Sequence, residues 1–191
     1  MGASDNNASN VTAGKPAIAG AIYFAPKGTT LPTDATTALD AAFDCLGYVS
    51  DSGLTNATGL ETTDIKAWGG DTVLSIQTSK DDKFTFTLLE VLNKSVLEFV
   101  NGAANVSGDL TTGLTVTVNN ADVEEVAIVI NMLLRDNTQK RIVIPDCKIS
   151  EIGDITYSDS EAVGYETTVT CMPDTSGNYH YEYLLKSNIS G

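Results

Sequence analysis

From Gly47 onward, apolar residues recur at every second position in one segment after another. A strand turns successive side chains to opposite faces, so this period prescribes sheets with an apolar face. Thr72, Leu74, Ile76 and Thr78 share a strand face. Phe84, Phe86 and Leu88 share a face on a returning strand, with Lys80-Asp81-Asp82-Lys83 read as the charged turn of the hairpin. Leu114, Val116 and Val118 alternate with threonines, and Tyr165, Thr167, Val169 and Cys171 fall on one face. Val123 to Leu134 is a long, almost continuously apolar strand with a potentially sticky edge. Arg141 to Ile149 pairs back after the turn Arg135-Asp136-Asn137, and Tyr179 to Leu185 is a last aromatic strand. Ile18 to Ala25, stopped by Pro26, reads as a strand near an edge. Because strands follow strands, the expected fold is mainly β, an antiparallel β-sandwich or barrel of roughly eight to ten strands with extended arms.

One or two short helices flank this sheet. The first is expected after a cap at Asp34 or Thr36, with Leu39, Ala42, Phe43 and Leu46 on one face and Gly47 as its stop. The second runs from Lys94 to about Val100, capped by Asn93, with Val96, Leu97 and Val100 buried and Asn101-Gly102 ending it. Residues from Met1 to about Lys15 are small and polar and can bury nothing, so an arm over residues 1–17 is expected to order only on assembly. A single domain over 18–186 and a polar tail over 187–191 complete the division. Ser50 to Gly59 has no core pattern and reads as a long loop, extended over residues 50–60.

Charge narrows the function. The chain of 191 residues carries 25 Asp and Glu against 11 Lys and Arg, a net −14. Binding to nucleic acid rests on Lys and Arg neutralising phosphates, so a groove binder is excluded. Val126 to Ile130, the longest strongly apolar stretch, stops at Asn131, far short of the roughly 18 residues of a membrane span. Met1 to Asn10 has neither a basic start nor an apolar segment, so no secretory signal is read there. Cys45, Cys147 and Cys171 form no CxxC pair and read as buried free thiols, with a disulfide plus one leftover thiol as the other reading.

Catalytic candidates are sparse. His180 is the only histidine, and lies between Tyr179 and Tyr181. It reads as an exposed or hydrogen-bonded strand residue, or as a base lacking an indicated partner. Asp81-Asp82 and Glu124-Glu125 read as turn and surface acids rather than a glycosidase pair. Asp154 to Glu161 is acid-rich but lacks the order of a calcium loop. No cofactor is expected. Between Lys148 and Lys186 there is no Lys or Arg, whereas Glu151, Asp154, Asp159, Glu161, Glu166, Asp174 and Glu182 all fall there. That stretch is either a solvated acidic face or a surface built to carry one sign of charge.

The order of segments resembles the major tail tube protein of long-tailed, siphovirus-type bacteriophages. The resemblance runs through GAIYFAPKGTTLPTD, ALDAAFDCLGYVSDSGL, ETTDIKAWGGDTV, FTFTLLEVLNKSVLEFVNG and the closing EAVGYETTVTCMPDTSGNYHYEYL. Its most specific positions are Gly28 with Leu31-Pro32, Gly47-Tyr48-Val49-Ser50 with Gly53, and Ala67-Trp68-Gly69-Gly70. It implies a β-sandwich subunit, six to a ring, with rings stacked into a tube whose lumen holds the tape-measure protein and passes the genome. No decorating domain is expected after Tyr183. Implied partners are other copies, the tape-measure protein, and the tail terminator and distal tail proteins. DNA passes without adhesion and no membrane is involved. The implied location is the virion tail, after synthesis in the host cytoplasm.

Stacking without closure needs different surfaces above and below each ring. The loop residues Asp51, Gly53, Leu54, Asn56 and Gly59 are stacking candidates, with the two terminal arms. An acidic lumen repels phosphate, and six copies would carry about −84 per ring. Asp64, Asp71, Glu151, Asp154, Asp159 and Glu161 are lumen candidates because they lie beside strands. The competing readings are a surface adhesin, pilin-like or capsid-decorating β-sandwich, and a β-sandwich enzyme acting on polysaccharide.

Overall fold

The computed structural model describes residues 6–186. In chain order the elements are β1 (Lys15–Pro16), β2 (Ile22–Pro26), β3 (Asp44–Cys45), β4 (Val49–Lys66), β5 (Thr72–Leu88), α1 (Lys94–Asn101), β6 (Val106–Asp109), β7 (Gly113–Val116), β8 (Val126–Leu133), β9 (Thr138–Ile152), β10 (Tyr165–Cys171) and β11 (Tyr181–Lys186). Nine strands make one sheet in the order β3-β2-β8-β9-β10-β5-β4, with β1 joined to β8 and β11 to β9; β6 and β7 form a separate ribbon. Every pairing is antiparallel. β9 is the spine. One of its edges holds β8, and the other holds β11 along its first half and β10 along its second.

Strand alternation divides the core. Ile128 and Ile130 of β8 and Ile142 and Ile144 of β9 face α1, whose Val96, Phe99 and Val100 cover them. Ala127, Val129 and Val143 face the other way, under Phe43, Leu31 and Leu39. Burial on both faces is why β8 reads as a nearly unbroken apolar run. Its expected sticky edge does not exist, because β2 and β9 pair along its two sides.

The sheet is strongly curled. The Phe99 ring lies 5.2 Å from Phe24 of β2 and 6.3 Å from Phe86 of β5. In the sheet order β2 and β5 are four strand spacings apart, about 19 Å if the sheet were flat. Only a sheet wrapped around α1 brings both rings to Phe99. The helix forms where the sequence places it: Asn93 Oδ1 accepts the Ser95 N–H at 3.0 Å, and Gly102 ends it at φ 88°.

Three sequence expectations differ from the structure. No helix forms between Asp34 and Leu46, although Asp34 accepts the N–H groups of Thr36 and Thr37 as a cap would. The apolar residues there serve opposite faces of the sheet, with Leu46 in the α1 core and Phe43 and Leu39 in the other cluster. One helical face cannot supply both.

Lys80–Lys83 is not a turn. These residues stay in β5, opposite Leu60, Gly59, Thr58 and Ala57. The turn of this hairpin is Ala67–Asp71, closed by the Ala67 N–H donating to Asp71 O at 2.8 Å, with Gly69 and Gly70 at φ 119° and 101°. The expected loop at Ser50–Gly59 is therefore strand, the first half of β4. Leu54 to Gly59 pair with Phe86 to Asp81, after a register shift that leaves residues 50–53 without a rung, and apolar patterning does not signal that pairing.

Of the expected N-terminal arm, residues 6–17 lie along the β8–β9 turn. Lys15 and Pro16 pair with Leu133 and Met132, and Thr12 Oγ1 accepts the Arg135 N–H at 2.8 Å. Residues 1–5 of that arm and the tail over 187–191 lie outside the described residues.

Two outcomes follow from this core. Phe99→Ala removes the ring shared by both ends of the sheet and is expected to cost about 3–5 kcal/mol in a urea-unfolding experiment. All three cysteines are free; Cys147 and Cys171 are buried, and burial pushes the Cys171 thiol up to about 12. A thiol-alkylating reagent at pH 8 is expected to modify Cys45 and spare the other two until the protein unfolds, as read by peptide mass spectrometry.

Candidate functional site

β4 and β5 outrun the body. Phe84, Phe86 and Leu88 anchor the base of β5, but beyond Asp82 almost every residue of both strands is exposed. The paired rungs from Thr58 opposite Asp82 to Lys66 opposite Thr72 form an arm roughly 30 Å long.

Register sorts the arm into two faces. Leu74 lies opposite Ile65, and Ile76 opposite Thr63. A register shift between Glu61 and Thr62 separates these rungs from those of the core residues Phe84 and Phe86. Asp64 lies opposite Ser75 and Thr62 opposite Gln77, on the other face. The outer part of the arm thus carries an exposed apolar cluster of Ile65, Leu74 and Ile76 on one face, with Leu60 exposed nearer the root and Trp68 standing free at the turn. Contiguous exposed apolar surface of this kind marks an interaction site.

The root of the arm is clamped. Asp82, buried to 1% exposure, takes His180 Nδ1 at 2.5 Å on Oδ2 and Asn56 Nδ2 at 2.8 Å on Oδ1. Tyr179 donates its hydroxyl to the Lys80 carbonyl at 3.0 Å, and the His180 ring stands edge-on to Phe84 at 5.3 Å. The segment entering β11 therefore straps the point where the arm leaves the body. His180 has the acid partner that the sequence did not indicate, and Asp82 is a buried clamp rather than a surface acid. Among the described residues no serine or cysteine hydrogen-bonds to His180, and no three His, Cys, Asp or Glu side chains gather to hold a metal ion.

The lumen candidates scatter. Asp64 sits on the polar face of the arm and Asp71 at its turn. Glu151 and Asp154 come together in a shallow depression of about 410 Å³ with Thr85, Glu166 and Thr168, on the face of the sheet away from α1. Asp159 and Glu161 lie in the connection between β9 and β10. Glu166 joins this polar face although it was not among the candidates. Its alternation with the buried Thr167, Val169 and Cys171 could have placed it there.

Sheet pairing absorbs most of the stacking candidates. Asp51 is exposed, and Gly53 takes φ 76° where the β4–β5 register shifts. Leu54 packs on the core, Asn56 bonds Asp82, and Gly59 lies opposite Asp81. They build the base of the arm. Trp68, Gly69 and Gly70 make its turn. Gly28 takes φ 90° after β2, and Pro32 is buried. At Gly47, φ is 71° and a Cβ would meet the Glu90 carboxylate at 2.0 Å; that carboxylate accepts the N–H of the exposed Tyr48 at 3.0 Å. A side chain at Gly47 would displace this bond.

A curled sheet with unpaired outer edges and a clamped arm of exposed apolar side chains is the design of a subunit that assembles with other chains. The sequence profile of the phage tail tube protein family matches residues 3–190, and the chain belongs to that family. It is a structural component of a phage tail, not an enzyme. Among solved structures, the fold is similar to the tube-terminating cap of the anti-feeding prophage, at 7% identity and a TM-score of 0.41, covering 90% of this chain and 93% of that one. The sheath–tube complex of the extracellular contractile injection system PVC in its extended state gives 6% identity and a TM-score of 0.38 over the same shares. Both likenesses are too weak to carry any assignment. No curated protein matches the chain. No helix among the described residues is long and apolar enough to cross a membrane.

Removing the Asp82 clamp is expected to loosen the arm first. Asp82→Asn should lower stability by about 1–3 kcal/mol in thermal unfolding, because buried partners lose their acceptor. Limited proteolysis of the variant should accelerate within residues 57–80 while the body stays intact.

Proposed function

We propose that this chain forms six-membered rings that stack into a hollow tail tube, and that the β4–β5 arm is the element that reaches from one ring onto the next. The observation that carries this reading is the exposed apolar stripe Ile65, Leu74 and Ile76 on an arm whose root is fixed by Asp82 and His180. An isolated domain gains nothing from such a stripe. A stacked one buries it, at about 25 cal/mol for each Å² of apolar surface removed from water.

Within a ring, the free edges of the sheet supply the lateral joint. β4 bounds one end of the sheet, and the short β3 with β11 leaves strand edges open elsewhere. Unpaired backbone groups on such edges are satisfied by a strand of the neighbour. The polar face of β9, β10 and β5, with Glu151, Asp154 and Glu166 among threonines, supports a lumen that repels phosphate. Asp64, Asp71, Asp159 and Glu161 remain candidates for the same wall where the arm and the β9–β10 connection border it. The genome then slides through without the counterion release that makes DNA adhere. The tape-measure protein, the tail terminator and the distal tail proteins are the proposed partners, joined in the host cytoplasm before the virion is complete. Residues 6–14, which lie along the β8–β9 turn, act with the arm at the joint between rings.

Electron microscopy of concentrated protein tests this reading. Rings and tubes are expected; a strictly monomeric protein, even with tape-measure protein added, overturns it. The double variant Leu74→Asp/Ile76→Asp is expected to keep the far-UV spectrum and ring formation but to lose tubes, because charged groups on the stripe resist burial.

A further inference from the structure

Positive charge in this acidic chain is concentrated at one end. Lys15 of β1, Arg135 in the β8–β9 turn, Lys140 and Arg141 at the start of β9 and Lys186 at the end of β11 are brought together by strand register. They are five of the 11 Lys and Arg. Only two acids pair with them there: Glu182 holds Lys140 at 2.7 Å, and Asp136 lies 3.7 Å from Lys186 and 3.9 Å from Arg135. Lys15 and Arg141 contact no carboxylate among the described residues.

Arg141 is the unusual member. It is 7% exposed, yet its guanidinium is held by neutral acceptors: Asn131 Oδ1 at 2.7 Å, Thr37 O at 2.7 Å and Asp34 O at 3.1 Å. The Asp34 carboxylate is turned instead to Thr36 and Thr37. The Asp34 charge acts on the guanidinium only through space, and a cation with no carboxylate in ion-pair contact leaves room for the approach of an external anion. Two recesses, of about 620 and 530 Å³, flank the turn and share Leu133. The first is lined by Lys15 and Arg135, the second by Ile18, Lys140 and Arg141.

The opposite end of β9 is the complement. The connection over residues 153–164 carries Asp154, Asp159 and Glu161 and no cation. None of these three acids enters an ion pair within the described residues. Ile155 and Tyr157 are exposed between them. The two charged ends are separated by the length of β9, roughly 45–50 Å. In a stack of identical copies, one end of each copy must meet the other end of the next. β5 and β9 are both antiparallel to β10 and so run the same way, which aims the arm's turn and the β8–β9 turn toward the same neighbour.

We propose that the cationic end formed by the β8–β9 turn receives the acidic β9–β10 connection, residues 153–164, of a second copy of this chain. This rests on the stacked-tube reading and names the contact that sets its direction. In this contact Asp154, Asp159 and Glu161 leave the lumen wall, whose charge then rests on residues such as Glu151 and Glu166, and meet Lys15, Arg135 and the Arg141 recess, while Ile155 and Tyr157 fill the apolar part of the recesses. Complementary ends also penalise the wrong polarity, since acidic end against acidic end repels.

A charge swap in the full chain tests it. Lys15→Glu/Arg135→Glu reverses the receiving end without touching Arg141, whose burial ties it to folding. Asp154→Lys/Asp159→Lys/Glu161→Lys reverses the incoming connection. Each set is expected to raise the protein concentration needed for tubes by about tenfold, and a chain carrying both sets to recover it to within about threefold. If a reversed chain unfolds by circular dichroism, Lys15→Gln/Arg135→Gln replaces it, with a smaller shift in the same direction.

Tubes of the wild type should also need more protein at high salt. Reversal with no effect overturns the proposal. So does impairment by the Lys15/Arg135 set alone without rescue, since the occupant is then something other than this connection. Wild-type chains that never assemble overturn the tube reading itself. Wild-type tubes lost in Leu74→Asp/Ile76→Asp but indifferent to the charge sets overturn only this contact.

Discussion

Phe99 is the point on which the rest of the structure turns. Its ring touches Phe24 near one end of the sheet and Phe86 near the other, so one short helix sets how far nine strands curl. A flat sheet of that width would expose an apolar face that an eight-residue helix cannot cover. Curling lets the helix cover it, and leaves outer edges free without closing a barrel. The same curl buries Phe84 and Phe86 while releasing the outer half of β5 from the body. The arm is therefore a consequence of the core: the strand pair continues after the helix has nothing left to cover.

The chain separates two kinds of polar work. Buried polar groups are few and specific. Asp82 clamps the arm through His180 and Asn56, and Arg141 ties the Asp34–Thr37 segment to the start of β9. Exposed charge is arranged by region instead, with acids on the β9–β10 side and a minority of cations around the β8–β9 turn. In the proposed tube, a subunit that contacts its own copies and lets DNA pass needs both: fixed geometry at the arm root and sign-sorted surfaces elsewhere. The low share of charged residues, 19%, suits surfaces that are covered on assembly, since Thr, Ser and Gly are less costly to bury than Lys or Glu.

Local chemistry alone determined a good part of this protein. Period-two patterning prescribed β10 and the base of β5, an unbroken apolar run and the turn after it prescribed β8 and β9, and the Asn93 cap with Gly102 prescribed α1, because each signal is complete within a few residues. Net charge excluded nucleic-acid binding, and an ordered set of short segments pointed to the tail tube family. What only the tertiary structure decided were features set by distant partners. Leu54–Gly59 is strand because Asp81–Phe86 pair with it, and Lys80–Lys83 is straight for the same reason. Leu39, Phe43 and Leu46 do not share a helix because two faces of one sheet divide them. Asp82 meets His180, and Lys15 and Arg135 come to line one recess, only once the sheet has folded, since pairing between strands brings together side chains that no local pattern relates.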